Sequence, residues 1–172
     1  LLGQRRAVGH HERALAARGV SLVIGTTGWQ AEEAPLRRDL AGVNVGVLCA
    51  PNFAIGVNLF LAIVERAGDL LTRHDFASWI HEAHHSAKRD APSGTSLMLG
   101  RAAAEAREVS LKERGVTVRD GDVGPRREGD IGFAALRGGD VVGEHRVIFA
   151  GPGERIELAH IATDRGIFAR GA

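Results

Sequence analysis

Helical patterns and short strand-like apolar runs alternate along the first third of the chain. Residues Arg5 to Arg18 have a helical composition that ends at Gly19, a residue favoured just past a helix C-terminus. The apolar runs Val20 to Ile24 and Val43 to Cys49 each have the length of a short buried strand, and a helix with Pro35 early in it is predicted between them. Each strand ends in a turn of small residues, which is where open parallel sheets bind ligands. This part of the sequence therefore predicts a parallel α/β sheet.

The pattern changes after Phe53. Apolar residues recur at helical spacing with charged residues between them, which predicts a long amphipathic helix over residues 54–73. The apolar positions of this helix are Ile55, Leu59, Ile63 and Leu70. A strand over 76–84 and a helix that follows Thr95 and ends before Gly115 are predicted next. Gly-rich turns then join three predicted strands, 131–136, 141–149 and 155–162. We therefore expect an α/β protein with a boundary near residue 54, in which the second domain is α+β with an antiparallel or mixed sheet.

The segment from Glu82 to Ser96 concentrates groups that bind anions and transfer protons. His84 and His85 exchange protons near neutral pH, and Lys88 carries a fixed positive charge. Pro92 to Thr95 precede an alanine-rich apolar run, which predicts a helix N-terminus. Unpaired backbone N–H groups and the helix dipole favour a carboxylate or phosphate at such an end. The segment therefore predicts a site for an anionic small molecule.

Composition limits the partners of this site. The 172 residues are 44% hydrophobic and 25% charged with a net charge of +1, and no basic run is interleaved with aromatic residues, so we expect neither nucleic acid nor an anionic membrane as a partner. The longest apolar stretch, Ala54 to Val64, is interrupted by Asn58 and is too short to span a bilayer. Cys49 is the only cysteine, which excludes an internal disulfide and suits a reducing compartment. A cytoplasmic location is therefore expected.

Two alternative functions arise from the same segment. His81, Glu82 and His85 match the HExxH pattern of zinc hydrolases, which requires a helix through all five residues. The segment also fits a strand, in which His81 and His84 would point to opposite faces, so we expect no metal. The second alternative is a non-catalytic remnant that binds an anion or forms an oligomer.

The remaining histidines have no comparable neighbours along the sequence. A single histidine is more often a surface or core residue than a catalytic one, and we expect no chemistry from these. They are His10, His11, His74, His145 and His160.

Four segments carry a specific resemblance. The run EAHHSAKRDAPSGTS, residues 82–96, resembles the signature of the 4-hydroxy-tetrahydrodipicolinate reductase family, also called dihydrodipicolinate reductase. These are nicotinamide-dependent enzymes of lysine and diaminopimelate biosynthesis. VIGTTG at residues 23–28 and the stretch 50–58 resemble the family's cofactor-contacting turns. Residues 129–160 resemble its substrate and tetramerisation domain, and the resemblance extends over residues 5–172.

The resemblance implies roles for single residues of the site. His84 is the implied catalytic acid/base, and Lys88 is an implied proton donor that also pairs with the substrate. His85 is an implied substrate ligand, while Gly94 and Thr95 bind a substrate carboxylate at the helix start. The substrate carries two carboxylates, so a lysine and a helix N-terminus give it two separate anchors. We expect Asp90 to orient Lys88 or to act as a cap.

The resemblance also implies a cofactor and an assembly. The cofactor is NADH or NADPH, the ligand is a small dicarboxylate, and the intact protein is a homotetramer. Residues 1–53 are the implied C-terminal part of a Rossmann-type dinucleotide-binding domain, and residues 54–172 form the substrate-binding and oligomerisation domain. The implied cofactor-binding residues are Gly25, Thr26, Thr27, Ala50, Pro51, Asn52 and Phe53.

Two features depart from the family pattern. No glycine-rich pyrophosphate loop of the type GxGxxG is present, and the strand that reads the adenosine ribose is absent as well. The chain also starts with Leu1 rather than methionine. We therefore expect an internal fragment of the reductase, with exposed surface in residues 1–53 and little or no turnover on its own.

Overall fold

The computed structural model describes residues 10–25, 29–71 and 75–172. The chain divides into two compact units, one that ends at Phe53 and one that runs from Ala54 to Gly171. The division falls where the hydrophobic pattern of the sequence changes. Among the described residues, no helix is long and apolar enough to cross a membrane.

The first unit is a small parallel sheet with two helices. Its elements are α1 (His10–Ala16), β1 (Leu22–Ile24), α2 (Gln30–Asp39) and β2 (Val47–Cys49). Strands β1 and β2 pair in parallel, with Leu22 opposite Val47 and Ile24 opposite Cys49. Helix α1 is followed by Gly19 at a φ of +73°, which confirms the predicted turn beyond the helix end.

Two expectations for this unit are wrong. The strands are not buried throughout, because Val23 on β1 and Leu48 on β2 are more than half exposed. The described residues cover one face of β1, with Ile24 packed against Trp29 and Leu36, whereas all three residues of β2 are exposed. Pro35 lies in the middle of α2 rather than early in it, because the helix already begins at Gln30.

The second unit is built on a five-stranded mixed sheet. Its elements are α3 (Ile55–Leu71), β3 (Ala77–His84), α4 (Gly94–Glu105), α5 (Leu111–Arg114), β4 (Gly115–Val116), β5 (Ile131–Arg137), β6 (Gly143–Gly151), β7 (Glu154–Ala162) and α6 (Gly166–Gly171). The strand order is β4-β5-β3-β6-β7. Strand β3 pairs in parallel with β5 and antiparallel with β6, and β6 pairs antiparallel with β7. The predicted α/β class with a mixed second sheet is confirmed.

Helix α3 buries a different face from the predicted one. Ile55, Leu59, Ile63 and Leu70 are each more than half exposed. The buried positions are instead Val57, Phe60, Val64 and Gly68. Both faces of this helix carry apolar residues, so its spacing alone does not identify the inner face, which is selected by packing against α4 and β7.

The core lies between this helix pair and one face of the sheet. Phe60 and Val64 of α3 join Leu99 of α4, Ile80 of β3 and Phe149 of β6 in one apolar cluster. The helix predicted after Thr95 begins at Gly94 and is interrupted after Glu105, with Glu108 at a φ of +55° before the short α5. The core thus fixes α4 directly over the strand that carries the histidine segment.

Candidate active site

Strand β3 sets the direction of the histidine segment. Ser78, Ile80, Glu82 and His84 alternate as buried residues along the strand. A strand has a side-chain period of two, so Glu82 and His84 share the face that α4 covers, whereas His81 lies on the opposite face. His85 follows the end of the strand. The HExxH interpretation with His81, Glu82 and His85 is therefore wrong, because the helix that it requires is absent from this segment.

The predicted helix start is present at α4. Ser93 is the N-cap residue, and its hydroxyl accepts a hydrogen bond from the Ser96 amide at 3.2 Å. Gly94 and Thr95 are the first two residues of the helix. The structure thus places the two predicted carboxylate ligands at a capped helix N-terminus.

Lys88 lies in the loop between β3 and α4 and is held by Asp90. The Lys88 Nζ donates to the two carboxylate oxygens of Asp90 at 2.9 and 3.1 Å. Burial acts to raise the pKa of Asp90, but the hydrogen bond and charge of Lys88 outweigh it and the pKa lies below its usual value. The expected orienting role of Asp90 is consistent with this contact, which fixes the ammonium beside the histidines.

Glu82 is a buried carboxylate at the centre of the site. It is 1% exposed and accepts hydrogen bonds from the Ser93 amide at 3.0 Å, the Ser96 hydroxyl at 2.6 Å and the Arg137 guanidinium at 2.8 Å. Burial acts to raise its pKa, but these hydrogen bonds outweigh burial and lower the pKa of Glu82 to about 2. The group is therefore ionised at neutral pH. It ties β3 to the start of α4 and to the end of β5.

His145 belongs to the site, although the sequence predicted no role for it. Strand β6 places His145 directly opposite Glu82. Its ring lies 5.0 Å from the His84 ring, edge to face, and its Nε2 is 3.2 Å from the Ser93 hydroxyl. The sequence gives no local signal for this position, because the strand register alone brings His145 to the site.

The hydrogen bonds around His145 indicate which of its ring nitrogens carries the proton. The Ser93 hydroxyl donates its single hydrogen to the Ser96 hydroxyl at 3.1 Å. Ser93 Oγ can then only accept from His145, so Nε2 carries the proton. Burial, followed by the nearby His84, lowers the pKa of His145 to about 4, so the ring is neutral at neutral pH. His145 therefore serves as a neutral donor to the helix cap.

Burial also lowers the pKa of His84. The charges of Lys88 and Arg137 act in the same direction, while Glu82 and Asp90 act to raise the pKa. His84 therefore lies among charges of both signs, on the strand face that the capped start of α4 adjoins. Such an arrangement is chemically suited to bind an anionic ligand and to exchange a proton with it.

Glu82, His84 and His145 also have the composition of a metal site. One ligand-type atom from each lies within 4.8 Å of the others. The Glu82 carboxylate is however already engaged by two hydroxyl or amide donors and a guanidinium. This donor set fits a hydrogen-bonded network better than a cation, which would have to displace those donors.

The predicted cofactor turns follow the two strands of the first unit. Ala50 donates its amide to the Ile24 carbonyl at 3.1 Å, so the carboxyl ends of β1 and β2 lie side by side. Gly25 packs against the Phe53 ring, which a Cβ at that position would approach to 3.3 Å. Pro51 and Asn52 connect Ala50 to Phe53 along the chain. Thr26 and Thr27 lie outside the described residues.

Comparison with known proteins identifies relatives of this chain. The family model "Dihydrodipicolinate reductase, C-terminus" matches residues 56–172. The 4-hydroxy-tetrahydrodipicolinate reductase of Caulobacter vibrioides is 48% identical over 161 residues, which are 94% of this chain and 62% of that protein. The enzyme of the same name from Methylocella silvestris is 54% identical over 150 residues, 87% of this chain and 54% of that protein.

A solved structure has the same fold. Dipicolinate-bound dihydrodipicolinate reductase from Paenisporosarcina sp. TG-14 superimposes with a TM-score of 0.66 and 28% sequence identity, over 99% of this chain and 63% of that one. The chain thus spans about three fifths of the length of these relatives. The matched family model, the identities of about one half and the shared fold together identify the chain as a member of the dihydrodipicolinate reductase family.

Proposed function

We propose that this chain forms the substrate-binding part of an NAD(P)H-dependent 4-hydroxy-tetrahydrodipicolinate reductase. The intact enzyme reduces 4-hydroxy-tetrahydrodipicolinate to tetrahydrodipicolinate, with the 4-hydroxyl group released as water, in lysine and diaminopimelate biosynthesis. The observation that carries the proposal is the convergence of His84, Lys88 and the capped start of α4 in one segment of a family member. The names of the relatives support the same reaction.

The substrate is a small dicarboxylate that takes two anchors. Gly94 and Thr95 hold one carboxylate at the N-terminus of α4, where the helix dipole favours negative charge. Lys88 pairs with the substrate as a second positive group, and His85 provides a further polar contact. Support comes from the dipicolinate ligand of the Paenisporosarcina relative, which has the same two-carboxylate chemistry.

His84 handles the proton of the reaction. A reduced nicotinamide, when bound, supplies the hydride. Reduction of an unsaturated ring then leaves an atom that must take up a proton, and a protonated imidazole in contact with the ligand can supply it. Lys88 is a second proton donor, and Asp90 holds its ammonium in place at 2.9 Å.

The first unit fits the reactive end of such a cofactor. Gly25 and Ala50 follow adjacent parallel strands, and small residues at that edge allow a ligand to approach the backbone closely. We assign the contacts to Gly25, Thr26, Thr27 and the stretch from Ala50 to Phe53, as part of a Rossmann-type domain. Either NADH or NADPH suits these residues, because none of them reads the adenosine ribose.

Calorimetric titration with dipicolinate tests the substrate site on the chain as it stands. Lys88→Met removes one charge-assisted contact, and the affinity should fall roughly 10- to 100-fold, since such contacts contribute about 1.5–3 kcal/mol. Lys112→Met is the matched control, because Lys112 is the only other lysine and lies exposed on α5. Equal affinities of the Lys88 variant and the wild-type chain would contradict the proposed site.

A further inference from the structure

We propose that Glu82 is a positioning residue that fixes His84 in the tautomer with a proton on Nδ1, so that Nε2 is the atom through which His84 exchanges protons. The inference rests on the proposed function for the role of His84 in the reaction. The tautomer itself follows from the contacts of the two side chains.

The Nδ1 atom of His84 faces the Glu82 carboxylate. Glu82 Oε2 lies 3.6 Å from Nδ1, and Nδ1 is buried and has no hydrogen-bond partner among the described residues. A bare nitrogen lone pair would oppose the lone pairs of the carboxylate, whereas an N–H group would be attracted to them. The Nδ1–H tautomer is therefore the stable neutral form.

Glu82 is suited to this role because it is ionised and rigid. The hydrogen bonds from Ser93, Ser96 and Arg137 hold both of its oxygens and keep the group charged. Its position is thus set by three separate elements: the strand that carries it, the start of α4 and the end of β5. A side chain held in this way can orient a neighbouring ring without moving itself.

The other edge of the imidazole is left for proton exchange. Gly143 lies next to Nε2, and a Cβ at this position would come within 3.3 Å of that atom. Glycine therefore keeps this edge of the ring clear of a side chain. An imidazole whose Nδ1–H faces a carboxylate, with Nε2 left to exchange the proton, is the arrangement that orients a general acid or base.

The charged and titratable groups around His84 come from several elements. They are Glu82 on β3, Lys88 and Asp90 in the following loop, Arg137 on β5 and His145 on β6. Of these, Glu82 and Asp90 favour the protonated ring, and Glu82 acts more strongly. Removal of the Glu82 charge should therefore make His84 harder to protonate.

Nitrogen NMR of the ¹⁵N-histidine-labelled chain, without ligand, tests the inference. At about pH 8 the His84 ring is mostly neutral because burial lowers its pKa, and its signals can be assigned as those lost in His84→Gln. We expect a protonated Nδ1 and a bare Nε2 in the wild-type chain. In Glu82→Gln the titration midpoint of His84 should fall by about one pH unit or more, as expected for loss of an opposite charge at this range.

Glu144→Gln is the matched control. Glu144 is a partly exposed neighbour on β6 that pairs with Arg146, and its substitution should leave the His84 midpoint unchanged. A wild-type His84 with the proton on Nε2 would overturn the inference, even if Glu82→Gln failed to fold. Because no ligand is added, failure of dipicolinate to bind would count against the proposed function alone.

Discussion

Two buried titratable groups, Glu82 and His145, organise the site at the scale of single residues. The carboxylate is ionised and the imidazole is neutral, although both are almost completely buried. Ser93 joins them, because it accepts from His145 while its own amide donates to Glu82. The proposed ligand-binding residues are thus held by a second set of polar groups with defined protonation states.

His145 makes stability depend on pH. Its pKa is about 4 in the folded chain and near 6.5 as a free side chain, so the unfolded chain binds more protons between these values. The free energy of unfolding should therefore decrease as the pH falls from about 6.5 to 4, by an amount on the order of 3 kcal/mol from this residue, since one pKa unit is worth about 1.4 kcal/mol. Glu82 adds to the loss only below about pH 4.5, as the pH falls towards its folded-state pKa of about 2.

Urea denaturation at about pH 7 and about pH 5 measures this effect. His145→Gln keeps a donor near Ser93 but cannot be protonated, so its loss of stability over this interval should be clearly smaller than that of the wild-type chain. His81→Gln, on the opposite face of β3, should retain the wild-type pH dependence. An unchanged pH dependence in the His145 variant would show that this ring does not titrate as described.

The candidate ligand-binding residues could be proposed from the sequence because they lie close together along it. His84, Lys88 and Gly94 fall within one short segment, and its composition already predicts an anion site. Glu82 lies in the same segment, but its role as a hydrogen-bond acceptor depends on Arg137, which is remote in sequence. His145 was missed for the same reason, since only the β3–β6 register brings it opposite Glu82.

At the scale of secondary structure, the start of α4 connects stability to the site. Ser93→Ala removes the N-cap hydrogen bond to the Ser96 amide and leaves the buried His145 without its acceptor. We expect a loss of about 1–3 kcal/mol in the free energy of unfolding, from the cap and the unsatisfied donor together. Ser110→Ala provides the control, because Ser110 occupies the same position before α5 but makes no cap hydrogen bond with its side chain.

Chemical denaturation of both variants checks the prediction. The Ser110 variant should stay within about 0.5 kcal/mol of the wild-type chain, as is usual for surface substitutions. If the two substitutions were equally mild, the cap would not contribute to the site as described.

Local signals predicted the elements better than the faces they bury. The start of α4 was predicted because a serine cap and a glycine followed by an apolar run act locally. The buried face of α3 was not predicted, because Leu59 and Phe60 are both apolar and only the tertiary partners of the helix distinguish them. The interruption after Glu105 was also missed, since it depends on a positive φ at Glu108, which is uncommon for a residue other than glycine.

For the whole molecule, we propose a homotetramer formed through the sheet face that α3 and α4 leave uncovered. Leu136 beside Ala83, and Ile161 beside Glu144, lie on this face and are each more than half exposed. Exposed apolar side chains on a sheet indicate an association surface. A cytoplasmic location also stays a prediction, in keeping with a single cysteine.

Light scattering after gel filtration tests the assembly. The wild-type chain should have four times the mass of one chain, and Leu136→Arg should shift it to smaller species because it would bury an unpaired charge at the interface. Val118→Arg changes an even more exposed apolar residue that lies outside the sheet, and it should leave the mass unchanged. A monomeric wild-type chain would contradict this proposal without affecting the substrate site.

We propose above all that the segment from Glu82 to Ser96 holds a dicarboxylate. A crystal structure of the chain with dipicolinate tests it most directly. We expect one carboxylate at the amides of Gly94 and Thr95, with Lys88 and the rings of His84 and His85 around the rest of the ligand. Well-ordered dipicolinate at any other place, with the start of α4 and Lys88 left without a ligand, would contradict it.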